Sequence, residues 1–213
     1  MTLLKQMSGV LTGVQALSFD AQQTREVGAS TGQLLTYYST SALTLERPNH
    51  VAFALKGDFR DLSIWYDGQS LTLLDPRRNL YAQKSMTTTL DTLADILPTK
   101  LGIAMPLATF VVSDPYAFAS KGLTSAYDAG TVTVRGTPCE HLAFRESDAD
   151  WQLWVSKGAS PLPMRMAITY LQIAGHPRVV LELSNWKLGA AVPASTFTFN
   201  KPSGAEPIKM VEH

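Results

Sequence analysis

Apolar and polar residues alternate with a period of two along most of this chain, the pattern of β-strands that present two different faces. FDAQQTREV (19–27) and QLLTYYSTSALTLE (33–46) carry Thr, Tyr, Val or Leu at alternating positions, and Gly28 and Gly32 lie between them, which predicts one long hairpin. HVAFALKGD, DLSIWYDG, QSLTLLDP and NLYAQKS follow, separated by turn signals at Pro48-Asn49, Gly57-Asp58, Asp67-Gly68 and Asp75-Pro76, so an antiparallel meander is expected. A second series, SAYDAGTVTV, PCEHLAFRES, DWQLWVSKG, MRMAITYLQ and RVVLELSNWKL, reads the same way, with FTF (197–199) as a final short strand.

Two stretches change period. Leu3, Met7, Val10, Val14 and Leu17 recur at helical spacing, predicting an N-terminal amphipathic helix of about four turns that packs on a sheet. Between the two strand series, Leu90, Leu93, Ala94, Leu97 and Leu101 share one helix face, and Pro106 and Pro115 open one or two shorter helices. The expected fold is therefore α+β: a strongly curved antiparallel sheet, or half-barrel, with an N-terminal helix and a central helical insert at about 88–120. No repeat or low-complexity linker divides residues 1–213, so a single domain is expected.

Facing follows from alternation. Val51, Phe53 and Leu55 share one face of their strand, Met164, Met166 and Ile168 one face of another, and most of these six are expected to point toward the helices, as are Leu93, Leu97, Leu107, Phe110 and Val111 from the insert. Ile64, Tyr66 and Leu153 complete the candidates for lining a space beneath the insert. Trp65, Trp154 and Trp186 fall on the parity opposite to their apolar neighbours; either covering segments bury both faces of the sheet, or a cavity is lined there.

Composition narrows the function classes. Eighteen basic and eighteen acidic side chains balance, so no net field favours nucleic acid or an anionic membrane. No apolar run is long enough for a membrane-spanning helix. The N-terminus lacks a basic region followed by a continuous apolar core and reads as a mature domain, with any signal peptide left off. The single cysteine, Cys139, excludes an internal disulfide.

Nucleophile-elbow, metalloprotease and phosphate-loop motifs are absent. Cys139 and His141 lie two apart on one strand face and are the one pair with nucleophilic chemistry; the competing account is a buried structural thiol beside an edge histidine. His50, His141 and His176 sit on separate segments without a ligand pattern, and Asp148 and Asp150 read as turn residues, so neither a metal, a cofactor nor an acid–base pair is expected. Arg47 ends a strand directly before Pro48, where its guanidinium could reach the insert and bond backbone carbonyls, or pair with Glu46 or another nearby acid.

ERPN (46–49), YDGQSLTLLDP (66–76) and FTFNKPSG (197–204) occur in the order and spacing of the LolA/LolB-type lipoprotein localisation factors, which the chain resembles. Over nearly its full length, through GDFRDLSIWYDGQSLTLLDP, SDPYA, GTPCEHLAFR, DWQLWV and PLPMRMAITY, it is similar to a family of predicted periplasmic proteins of unknown function with the same expected fold. The resemblance implies export to the periplasm and a non-enzymatic carrier that holds a lipid, acyl chain or lipoprotein between curved sheet and helical lid. An envelope sensor or protein-interaction module using the same face is the alternative it implies. It also makes Arg47 the lid latch, since in the LolA carriers the arginine of the RPN turn holds the lid closed. The tail AEPIKMVEH is short for the extra C-terminal element of LolA, and no N-terminal cysteine offers the lipid anchor of LolB.

Overall fold

The computed structural model describes residues 1–211. The chain opens with α1 (Thr2–Thr12) and forms six strands, β1 (Ala16–Gly28), β2 (Leu34–Glu46), β3 (His50–Gly57), β4 (Leu62–Asp67), β5 (Ser70–Asp75) and β6 (Leu80–Ser85). Three helices intervene, α2 (Leu90–Leu101), α3 (Ala108–Val111) and α4 (Pro115–Ser120). Five strands follow, β7 (Ser125–Val134), β8 (Thr137–Arg145), β9 (Ala149–Ser156), β10 (Pro163–Tyr170) and β11 (Arg178–Leu188), then a short 3-10 turn at Ala194–Phe197 and β12 (Glu206–Pro207). All twelve strands join one open sheet in the order β12-β6-β5-β4-β3-β2-β1-β11-β10-β9-β8-β7. Every pairing is antiparallel except that of β12 with β6. The β1–β11 pairing joins the two strand series, each of which consists of hairpin neighbours, and together with the short β12–β6 pairing it bridges the helical insert.

Local chemistry sets the helix ends. Thr89 accepts a hydrogen bond from the Thr92 amide at the start of α2, and Gly102 closes that helix in the left-handed conformation (φ 62°) that a Cβ disfavours. Asp114 caps α4 by accepting from the Ala117 amide, with Pro115 at the first helical position. The N-terminal helix is shorter than its periodicity suggests and uses a different stripe. It stops at Gly13 and buries Leu4, Met7, Ser8 and Leu11, while Leu17 has already passed into β1.

One core cluster unites the helices with a single face of the sheet. It contains Leu4, Met7 and Leu11 of α1, Leu90, Leu93 and Leu97 of α2, and Phe110 and Val111 of α3, packed on residues from β1 to β5 and β8 to β11. The opposite face is covered in part by the C-terminal segment, whose Phe197 is buried beside His50 and whose Phe199 contacts Trp65 and Tyr81. This packing is why Trp65 sits opposite its core-facing neighbours. It also replaces the expected strand at 197–199, because the aromatic side chains are spent on a face rather than on a sheet edge. The tail instead supplies β12; its last two residues, Glu212 and His213, lie outside the described residues.

Candidate functional site

The site is the space between the helix-facing side of the sheet and α2–α4. Cross-strand rows define it: Leu17 pairs Leu45, Phe19 pairs Leu43, Leu45 pairs Val51 and Leu43 pairs Phe53. Val51 and Phe53 continue to Tyr66 and Ile64. In the second strand series Leu181 pairs Met166, Met166 pairs Leu153 and Leu153 pairs Leu142. Of the lining candidates, Val51, Phe53, Ile64, Tyr66, Leu93, Leu97, Leu107, Phe110, Val111, Leu153 and Met166 are members of the core cluster, with Leu55 and Ile168 packed against it.

Met164 departs from this set. Its strand partners shift between Pro163 and Arg165, a β-bulge that inserts one extra residue, and Met164 packs with Trp154, Cys139 and Ala167 on the other side of the sheet. The expectation that Met164, Met166 and Ile168 share a face is therefore corrected. A second bulge corrects Trp186. Asn185 adopts φ 54° where the β1–β11 register slips, and the following indole turns onto the helix side, stacked on Phe19 (centroids 4.3 Å) and edge-on to Phe110 (6.3 Å). Its Nε1–H donates to the Pro163 carbonyl at 3.1 Å. Sequence parity placed this tryptophan outside, whereas the structure makes it the floor under α3.

Few polar contacts hold the helices down. Arg47 Nη1 donates to the carbonyls of Val111 (2.9 Å) and Val112 (3.0 Å) at the C-terminal end of α3. Its Nε and Nη2 are buried without partners, and burial lowers its pKa, with Asp91 acting in the opposite sense. Asp91, in the first turn of α2, accepts from the amide and the hydroxyl of Ser113, both at 2.6 Å. The Leu90 amide donates to the Pro48 carbonyl (2.9 Å), so α2 starts on the turn that carries Arg47, and the Arg47–Pro48 peptide is cis. Tyr66 Oη bonds both the amide (2.7 Å) and the carbonyl (2.9 Å) of Thr88. At α4, the Tyr116 amide donates to Ser8 Oγ of α1 at 3.1 Å.

The interior is filled by the protein's own side chains: Tyr66 and Phe110 are each 0% exposed. A cavity of about 230 Å³ remains on this side of the sheet, walled by Val27, Tyr37, Leu55, Phe59 and Ala104, with Arg25 and Arg60 in its lining. Because α2 begins beside Pro48 and Gly102 at its end lines this cavity with Leu55, the helix runs the length of β3 and the cavity lies past its C-terminal end. The residue pattern carries one signal for it. Arg25 has the same parity as Leu17, Phe19 and Ala21, so beyond Gln23 a charge stands at the end of a face that begins apolar. Two hollows of about 640 Å³ each on the other face of β1–β3 are walled by polar side chains such as Gln22, Thr40 and Lys56.

The nucleophilic pair does not assemble. Cys139 is fully buried, its Sγ lies 3.4 Å from the Thr137 carbonyl, and burial pushes its thiol pKa up. The His141 ring stacks on Trp154 at 4.2 Å, with Nε2 3.0 Å from Gln152 Oε1. Among the described residues no group of three or more His, Cys, Asp or Glu side chains could hold a metal, and no helix is long and apolar enough to cross a membrane.

The chain thus forms a wide, open antiparallel sheet with an N-terminal helix and a helical insert packed on one face. The chain belongs to the family described as "Predicted periplasmic protein (DUF2092)", whose model matches residues 1–211. Among solved structures, it shares its fold with LprF from Mycobacterium bovis, at 13% identity and a TM-score of 0.51, with 96% of each chain covered. An uncharacterized conserved protein from Thermus thermophilus is similar at 12% identity and TM-score 0.46, with 98% of this chain and 97% of that one covered. A LolA superfamily protein from Nitrosomonas europaea is similar at 11% identity and TM-score 0.43, with 93% of this chain and 96% of that one covered. No curated protein matches the chain at a significant level.

Proposed function

We propose that this periplasmic-family protein is a non-enzymatic carrier that takes the alkyl part of a hydrophobic ligand between a curved sheet and a lid formed by residues 88–120. The observation that carries the reading is the continuous apolar layer between helices and sheet. Twelve strands laid flat would span about 50 Å at 4.8 Å per step, while α2 is only about 18 Å long. Yet helix residues share one cluster with Leu71 of β5 and Phe144 of β8. A sheet curled around the helices as a half-barrel accounts for that single core.

Polar ties between insert and sheet are few beside this apolar area, and the Arg47 fork is only half satisfied, which suits an insert that lifts rather than one that is permanently locked. Val51, Phe53, Leu55, Ile64, Tyr66, Leu153, Met166 and Ile168 would then face alkyl carbon in place of Leu93, Leu97, Leu107, Phe110 and Val111. Each buried CH₂ contributes roughly 0.8 kcal/mol, so alkyl length alone supplies binding energy, offset by whatever closed-state packing is given up.

Lipid extraction and mass spectrometry of protein purified from its own host, together with saturable uptake of a fluorescent fatty-acyl probe by the delipidated protein, test the reading. One co-purifying alkyl species and one probe per chain are expected. Lipid-free protein that also fails to bind the probe would overturn it.

A further inference from the structure

The cavity past the end of α2 is not uniformly greasy. Its row on the sheet runs from Tyr37 through Arg25 and Val179 to Ile168, Trp151 and Phe144, so one guanidinium interrupts an apolar and aromatic row. Arg60, from the turn between β3 and β4, lines the same cavity. Five other arginines, Arg77, Arg78, Arg135, Arg145 and Arg165, each pair with a carboxylate. Among the described residues, Arg25 and Arg60, like Arg178 outside the cavity, have neither a carboxylate partner nor a side-chain hydrogen bond, and no acidic side chain lines the cavity. Partial burial lowers the pKa of Arg60, and the charge of Arg25 lowers it further, so the two guanidiniums lie within electrostatic reach of each other. Phe59, which contacts Tyr37 at 5.5 Å between centroids, is 67% exposed at the rim.

Unpaired cations beside an apolar wall are costly until an anion sits between them, and a planar guanidinium fork matches the paired oxygens of a carboxylate or phosphate. We propose that Arg25 and Arg60 bind the anionic head of a single-chain amphiphile, whose alkyl part continues from the cavity beneath α2. This rests on the carrier reading above and names its ligand class. At about 230 Å³ the cavity is below the roughly 300–1,000 Å³ usual for small-molecule sites, room for a head group and the first carbons. The rest of the chain requires the helices to lift. Head recognition at a preformed site would therefore come first, and alkyl insertion would follow it.

Equilibrium binding of laurate, dodecyl phosphate and 1-dodecanol to the full chain, below their aggregation concentrations, separates head from tail. The anions are expected to bind at least tenfold more tightly than the alcohol, with the advantage shrinking as NaCl is raised. Arg25→Gln and Arg60→Gln, checked for native circular dichroism, should reduce the anions to the affinity of the alcohol while leaving the alcohol unchanged, and Arg60→Lys should retain most of the preference. Whether laurate or dodecyl phosphate binds more tightly distinguishes a free fatty acid from a phosphate head. Equal binding of all three, or an anion preference that survives both glutamine variants, would overturn the head-group site while leaving the carrier reading standing. Failure of all three to bind would overturn both.

Discussion

Replacing Arg47 by leucine tests whether the insert is held by a latch. In the closed arrangement Arg47 contributes two charge-assisted bonds, to the carbonyls of Val111 and Val112, at about 1.5–3 kcal/mol each. Its buried Nε and Nη2 lack partners, each at a cost of about 1–3 kcal/mol, so the wild-type latch sits near balance. Leucine restores about 2 kcal/mol by burial but strands both carbonyls at about 1–3 kcal/mol each. The difference between variant and wild type is then about 2 kcal/mol against closure, close to a 30-fold rise in the open population by the rule of 1.4 kcal/mol per tenfold.

Were that energy lost from the whole fold, the melting temperature of a chain this size would fall by roughly 4–8 °C. Once the insert has opened no further penalty applies, so the fall should be smaller. Hydrogen exchange followed by mass spectrometry reads the local effect. The Ala108, Phe110 and Val112 amides, which bond within the insert, should exchange roughly 30-fold faster, and amides in the β1–β2 ladder should be unchanged. Fatty-acyl probe uptake should change in parallel. Unaltered exchange at these three amides, or equal acceleration throughout the sheet, would refute the latch.

Cys139 should resist a thiol reagent in the native protein and react only as the protein unfolds, because it is fully buried and burial raises its pKa; stoichiometric labelling of native protein within seconds would revive a nucleophilic role. Asp150 has its pKa lowered by the hydrogen bonds and charge of Arg145. A depressed folded-state value means the stabilisation is complete above the ordinary carboxylate value of 3.8 and fades as pH falls through the lower folded value. Asp150→Asn should therefore be less stable than wild type in urea at pH 7, and the gap should narrow below that value. A gap that widens on acidification would contradict the assignment.

Much of the architecture was legible because strands with different faces must alternate. The expected runs SAYDAGTVTV and RVVLELSNWKL coincide with β7 and β11, and the Asp67-Gly68 and Pro48-Asn49 turns fall between strands as expected. The apolar stripe of α2 was equally readable, since Leu90, Leu93, Ala94 and Leu97 are all buried. The site was legible only where parity is uninterrupted. Val51, Phe53 and Leu55 follow it, whereas Met164 and Trp186 do not, because a one-residue bulge exchanges the faces of everything beyond it and leaves no reliable mark in composition. The N-terminal stripe was misplaced for a related reason: Gly13 ends the helix, so Val14 and Leu17 no longer share its period.

The sequence by itself determined the strand runs, the helical interruption and the absence of familiar catalytic motifs, all of which depend on the spacing of nearby residues. Tertiary structure decided which face each strand presents after its bulges, that the C-terminal segment covers Trp65, and that Arg47 meets the end of α3 more than sixty residues away. It also brought Arg25 and Arg60 to one cavity. Those outcomes depend on register and on long-range packing, where one inserted residue or one covering segment redirects a side chain that local pattern would place elsewhere.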